Sequence, residues 1–299
     1  DYVYRVAKSA VGFWLEANAV SYAGALAFFT LFSIAPVVIL AVQVIGLVMS
    51  TDAAMARIMA QLQETIGADA AETVRTAVAA SQIDQGGILP TLIGLGAMVV
   101  GATTVFARMQ RSLNNVWDIA TRPSRNTILA LLKSRLMSLT VVLSIGFVLM
   151  VSLFLSVVLQ AIMVFARDWL PIPAGLVVTL EMVISVGVVT LLFATIFKVL
   201  PDAVLRWKDV LSGALVTALL FVLGRFLIAF YLSHTATAST YGAAGSLVLL
   251  LLWVYYSSLI LLFGAAITRA HTEERGIVIR PSRSAVRVHR QMLEDPSGH

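Results

Sequence analysis

The sequence predicts an all-α membrane protein, a polytopic bundle of six transmembrane helices. Three observations predict it. Of 299 residues, 59% are hydrophobic and only 12% charged, against about 25% charged in soluble domains. Six apolar runs are each long enough to cross a bilayer as a helix, the one state that satisfies a backbone in hydrocarbon. Lys and Arg fall seventeen on one side of these runs and three (Arg57, Arg75, Arg167) on the other, with Arg225 inside a run. Cytoplasmic loops retain basic residues, so this split puts both termini in the cytoplasm and requires an even number of crossings. The net charge of +5 follows from the same rule without invoking nucleic acid.

Residues 1–20 read as an amphipathic interfacial helix. Val3, Val6, Ala10, Phe13 and Trp14 share one face, and Arg5 and Lys8 lie off it. A helix docked on the cytoplasmic side of the bundle fits the same pattern. No cleavable signal pattern opens the chain, and Asp1 in place of Met suggests a trimmed start.

The transmembrane domain covers 21–271. Its first span, 22–49, is longer than a perpendicular crossing needs, so tilt or a bend at Pro36 is expected. Ser33 could satisfy a freed carbonyl, and Gln43 is the amide of the outer half. Residues 51–87 differ in kind, with acids dispersed among Met55, Ile58, Met59, Leu62 and Ile66, then Val74 and Val78, at helical spacing. They predict an extracytoplasmic helical hairpin between the first and second spans, its second helix capped by Asp69. It is too short for a separate domain, so its apolar stripe must rest on the bundle, on headgroups or on another chain.

The second span, 88–106, is glycine-rich. A basic loop follows with Arg108, Arg111, Arg122, Arg125, Lys133 and Arg135 against Asp118. The third, fourth and fifth spans are 136–165, 174–197 and 210–232. The sixth, 241–271, organises the rest. Small residues flank an uncharged run containing Trp253, Tyr255 and Tyr256, which suits close packing against neighbours. Residues 272–299 form a basic cytoplasmic tail, mobile or bound to anionic headgroups.

Two charges sit where charges are costly: Glu181 in span four and Arg225 in span five, at similar depth from the outer surface. They define a possible outward-facing polar path with Gln43, His234 and Tyr231, or else a structural ion pair. The small residues of spans one, two and six suit a sliding seam or static packing. Trp253, Tyr255 and Tyr256 read as core more readily than as a ligand platform. There is no cysteine, no histidine pair at metal-ligand spacing and no phosphate-binding Walker loop. Dispersed acids do not suit metal-assisted phosphodiester hydrolysis. The expectation is therefore no enzyme, no cofactor and no metal. Trp117 in the basic loop could touch RNA, but topology already explains that charge.

Several runs stand out: 25–36, which contains Ser33 and Pro36; 113–117, with Asn114 and Trp117; and 200–203 with Pro201, followed by Trp207. The most specific are 241–246, with Gly242 and Gly245, and 252–256, with Trp253, Tyr255 and Tyr256. Together these runs resemble the YihY / virulence factor BrkB family of bacterial inner-membrane proteins, and the resemblance covers nearly the whole chain. One departure is Gly264-Ala265-Ala266, where the family commonly has Gly-Ala-Glu. The resemblance implies six helices and a role in envelope biology, including transport of a lipidic or other amphiphilic substrate. Proteins similar to this one have been labelled ribonuclease BN, a label these residues do not support. A non-transporting membrane scaffold is the alternative. Membrane lipids, a lipidic substrate and a second copy are the expected partners, and nucleic acid is not.

Overall fold

The computed structural model describes residues 2–46, 49–80, 88–121, 174–234, 237–282 and 285–288. Among them the chain is an all-α bundle: α1 (Tyr2–Glu16), α2 (Ala19–Gly46), α3 (Thr51–Ile66), α4 (Ala68–Ala80), α5 (Ile88–Val116), α6 (Ala174–Val199), α7 (Trp207–His234) and α8 (Thr237–Glu274). Four stretches, Ala19–Gln43, Met182–Val199, Trp207–Ile228 and Gly245–Glu274, are long and apolar enough to cross a membrane. They correspond to expected spans one, four, five and six. The expected third span, 136–165, lies outside the described residues.

α8 is the hub, with α1, α2, α4, α5 and α7 all packed against it, while α6 packs on α7 and α5 on α2. Two apolar cores result. One joins Leu113 and Val116 of α5, Phe197 of α6, Val210 of α7 and Leu262 of α8. The other joins Val38 and Val42 of α2, Val74 and Val78 of α4, and Leu249 and Trp253 of α8. The second core answers what the hairpin rests on: it is seated on the bundle. Val74 is fully buried, and burying a valine stabilises by about 1.5–3 kcal/mol. The Thr73 and Ser246 hydroxyls meet at 2.7 Å across the seam.

Local chemistry sets the hairpin's ends. Ser50 caps α3, its Oγ accepting from the Ala53 N–H at 3.2 Å. Gly67 closes α3 with φ 88° and ψ 162°, a positive-φ conformation that glycine adopts without a Cβ penalty. α4 starts at Ala68 directly after it, so Asp69 is a first-turn residue and not the expected cap. There its charge still favours the positive end of the helix dipole. On the exposed side, Arg75 donates to both Glu72 carboxylate oxygens at 2.7 and 2.8 Å. This hydrogen bond holds the Glu72 carboxyl below its usual range. A depressed folded pKa gives stability that is present above the ordinary carboxylate range and lost as pH falls through the depressed value. Acidification should therefore loosen α4 slightly, and Glu72→Gln should abolish that increment. Amide exchange along α4 as a function of pH measures it.

α2 runs unbroken through Pro36 to Gly46. Gly101 of α5 lies against the Pro36 ring, and a Cβ there would stand 3.0 Å from the proline Cγ. α1 lies against the end of α8 through its expected face: Ala10 is buried and Val6, Phe13 and Trp14 pack on the core, but Val3 is exposed. Trp14 Nε1 donates to the Leu259 carbonyl at 3.3 Å, the Tyr2 hydroxyl lies 2.9 Å from His271 Nδ1, and Arg5 pairs with Glu274 at 3.4 Å.

The described part of the tail, 272–282 and 285–288, departs from the expectation of mobility, and the rest lies outside the described residues. After Gly276 (φ 67°) ends the α8 turn, β3 (Arg280–Pro281) pairs with β2 (Ala203–Val204), and β4 (Ala285–Arg287) pairs with β1 (Ile119–Thr121), both antiparallel. Ile279 and Ala285 are buried. The chain after α8 is thus fastened to the loops after α5 and α6. α1, both loops and this segment gather at one end of the bundle, here called basal. The hairpin continues from the other end of α2.

Candidate functional site

Of the five residues of the expected polar path, Arg225 and Gln43 have described side chains. Arg225 lies on α7 and is half-buried, on the helical face it shares with buried Ala214 and Ala218. Its guanidinium carbon lies 5.8 Å from the Phe226 ring centroid. Gln43 is exposed on α2, beside buried Val42, and α8 packs against both α2 and α7. Gln43 therefore does not share Arg225's burial. The backbones of Glu181, Tyr231 and His234 are described in α6 and α7, but their side chains lie outside the described residues. α6 and α7 are packed neighbours.

The α7–α8 seam is closer than glycine content alone conveys. A Cβ on Gly213 would overlap the Gly264 carbonyl and the Thr268 hydroxyl. One on Gly264 would overlap the Thr217 hydroxyl and meet the Phe197 ring at 3.0 Å. Farther along, the Tyr256 ring lies on Gly224, and its hydroxyl donates to the Leu220 carbonyl at 2.7 Å. Trp253 stacks edge-on to Phe221 at 5.3 Å, and Phe221 to Phe193 at 5.8 Å. Trp253 and Tyr256 are thus packing residues of the core, and Tyr255 is half-buried beside them. Ala266, at the position of the family's usual Glu, is fully buried in the basal core.

The densest polar chemistry is at the basal end, where the runs at 113–117 and 200–203 meet. Asn114 and Asp202 form a reciprocal pair: Asn114 Nδ2 donates to Asp202 Oδ2 at 2.9 Å, and the Asp202 N–H donates to Asn114 Oδ1 at 2.8 Å. Asp202 is only 6% exposed. The Ser282 N–H donates to its carbonyl at 2.8 Å, which ties in the tail. The next residue of α5, Asn115, donates through its Nδ2 to the Ala17 carbonyl at 2.7 Å. Pro201 is buried in the same loop, and Lys198 Nζ donates to the Leu205 carbonyl.

Arg269 of α8 forms the second centre, 7% exposed. Its Nη2 lies 2.7 Å from Asp118 Oδ2, its Nε donates to Glu273 Oε1 at 3.0 Å, and its Nη1 donates to the Val116 carbonyl at 2.6 Å. Its guanidinium also stands over the Phe13 ring, 4.0 Å from the centroid. Trp117 is buried beside it, with no partner for its Nε1 among the described residues. Each acid here faces a donor rather than another acid. Among the described residues no group of three or more His, Cys, Asp or Glu could hold a metal. The arrangement is a clasp joining four chain segments.

In the sequence alone Asn114, Pro201 and Asp202 stand only as motif residues, Trp117 as a motif residue that could touch RNA, and Asp118 and Arg269 carry no role in the expected site. Two signals were available. Asp118 is the one acid in a basic stretch, and Glu273 follows Arg269 at the i,i+4 spacing of a helical ion pair.

A family model described as virulence factor BrkB matches residues 11–288. A UPF0761 membrane protein of Tolumonas auensis is 30% identical over 180 residues, covering 60% of this chain and 56% of its own. One from Nitrosospira multiformis is 29% identical over 258 residues, 85% of this chain and 58% of its own. One from Mannheimia succiniciproducens is 24% identical over 251 residues, 82% of each chain. The chain therefore spans less than two thirds of the length of the first two. No solved structure matches it.

Proposed function

We propose, on the premise that the chain belongs to the virulence factor BrkB family, that it is a multi-pass bacterial inner-membrane protein that translocates a lipidic or other amphiphilic envelope substrate and is not an enzyme. The topology we infer has six crossings with both ends of the chain in the cytoplasm. The Lys/Arg asymmetry supports it. So does the gathering of α1, the loops after α5 and α6, and the tail at one end, with the hairpin at the other. In this reading the basal end is cytoplasmic, and α5 and residues 136–165 supply the remaining two crossings.

One observation carries the translocation reading. Arg225 lies inside an apolar crossing, toward its outer end, on a face it shares with buried residues. An arginine costs roughly 2.5–3.5 kcal/mol at a helix centre on insertion scales and less toward an interface, and one within a span commonly lines a substrate or ion path. Glu181, on the neighbouring helix at similar depth, is its expected counter-charge. The test is flux of a fluorescent phospholipid across proteoliposomes. Arg225→Gln should lower flux at least tenfold with little change in melting temperature, and the exchange Glu181→Arg with Arg225→Glu should restore part of it. Wild-type flux in Arg225→Gln, or no flux above protein-free liposomes, would defeat the proposal.

The alternative, a non-transporting scaffold, draws on the α7–α8 seam, where backbone touches backbone and leaves no room to slide. A protein with no flux that co-purifies with a defined envelope partner through the hairpin would favour it.

A further inference from the structure

α5 does not end where its apolar run ends. It continues to Val116, so Arg108 and Arg111 stand on a helix and not in the loop expected from the sequence. Three residues apart, they lie on adjacent turns of one face, and both are exposed. At the basal end Arg5, Arg206, Arg269 and Arg287 each have a carboxylate within 4 Å. Arg108 and Arg111 have none among the described residues. Arg275 and Arg280 also have none, but they sit on the tail segment after α8.

What sets the pair apart is the apolar neighbourhood of Arg108. The Arg108 guanidinium carbon lies 4.3 Å from the Phe29 centroid on α2, a cation–π contact that orients the fork. Phe29 adjoins Phe28 (5.8 Å), and Phe28 adjoins Phe32 (5.0 Å). Phe28 and Phe32 are 56% and 66% exposed. Depth follows from three antiparallel contacts between the helices: Gly101 with Pro36, Arg108 with Phe29, and Asn115 with the Ala17 carbonyl. Arg108 is thus about 10 Å along the helix from the basal clasp, at 1.5 Å per residue. Two guanidiniums with no carboxylate within 4 Å among the described residues therefore stand where an apolar helix surface gives way to the polar end.

We propose that Arg108 and Arg111 hold the phosphate of an anionic phospholipid of the basal leaflet, whose acyl chains run along Phe28 and Phe32. Guanidinium forks match phosphate oxygens in paired hydrogen bonds. A free phosphate satisfies only that half of the site. The aromatic strip continuing toward the hydrocarbon selects the lipid. The inference is independent of translocation, since a scaffold would carry the same site.

The test uses the full chain, purified and delipidated in detergent, titrated with phosphatidylglycerol or phosphatidylcholine and read by native mass spectrometry. The wild type should prefer phosphatidylglycerol. Arg108→Gln with Arg111→Gln should weaken phosphatidylglycerol binding on the order of 10- to 30-fold. Arg275→Gln with Arg280→Gln, which removes the same charge from the tail, should leave it unchanged. Millimolar inorganic phosphate should not displace the lipid. Equal binding of the two lipids by the wild type, full displacement by phosphate, or equal losses in the two double variants would each overturn the proposal. The first two outcomes need no variant to fold.

Discussion

Gly264→Ala is expected to break the α7–α8 pair, although it adds a single methyl group to a transmembrane helix. The new Cβ would fall on the Thr217 hydroxyl and press on Phe197, which is fully buried. Neither can yield cheaply. Thr217 already donates to the Gly213 carbonyl at 2.7 Å, and Gly213 itself faces the Gly264 carbonyl. The helices must move apart, and α8 cannot do so without disturbing α1, α2, α4 and α5, which all pack on it. Overpacking of this kind costs about 1–3 kcal/mol, and the backbone contact puts it at the upper end. A fall in melting temperature of roughly 5–10 °C in detergent should report it. Gly187→Ala is the matching control. Gly187 lies in α6 with nothing within 4 Å of the added Cβ, so helix propensity should stabilise that variant by about 0.5–1 kcal/mol. If the two variants melt alike, the seam is looser than described.

Arg269→Met is expected to cost about 3 kcal/mol, the low end for removing one partner of a buried ion pair. Methionine keeps much of the stem but strands Asp118 and the Val116 carbonyl, and leaves Glu273 only the longer pair with Arg287 at 3.9 Å. Asp118 and Glu273 are partly exposed, at 27% and 34%, so water screens some of the loss, whereas the Val116 carbonyl depends on Arg269. Arg269→Lys should recover only part, because one ammonium cannot span the same acceptors as a planar fork. Limited proteolysis after α8 gives an independent readout, since the segment at 277–288 is held through Asp118 and Asp202. The Val288 N–H donates to the Asp118 carbonyl at 2.7 Å. A variant that melts normally and keeps this segment protected would show that the clasp does not depend on Arg269.

The layers of this fold were unequally legible in the sequence. Hydrophobic length and helical spacing sufficed for α2, α3, α4, α6, α7 and α8, because a membrane helix leaves little freedom in how its backbone is satisfied. The central place of the last helix was also legible, from small residues such as Gly245 and Gly264 flanking an apolar run. Helix ends were less so. α5 runs ten residues past its apolar stretch, since arginines at a headgroup boundary continue a helix as readily as they end one. The cap of α4 went to Gly67 rather than Asp69 through backbone conformation. Pairings across the chain were the least visible. Asn114 and Asp202 are 88 positions apart, and neither is unusual in its local context. Of the candidate path, Arg225 keeps a half-buried place on a face shared with buried residues, while Gln43 turned out exposed because α2 buries the stripe through Val38, Val42 and Ile45 instead.

The hub position of α8 bears on how the protein is made. Every helix that leans on it precedes it in the chain. At roughly 5–20 residues per second, α2 waits on the order of ten to forty seconds for its main partner to leave the ribosome. During that interval the first helices are held in the bilayer by their own hydrophobicity, and the hairpin has only α2 to settle on. Compaction is therefore a late event triggered by one insertion. A ribosome stalled before Tyr241 would leave a threaded but unassembled chain, the kind of species that membrane quality-control proteases remove.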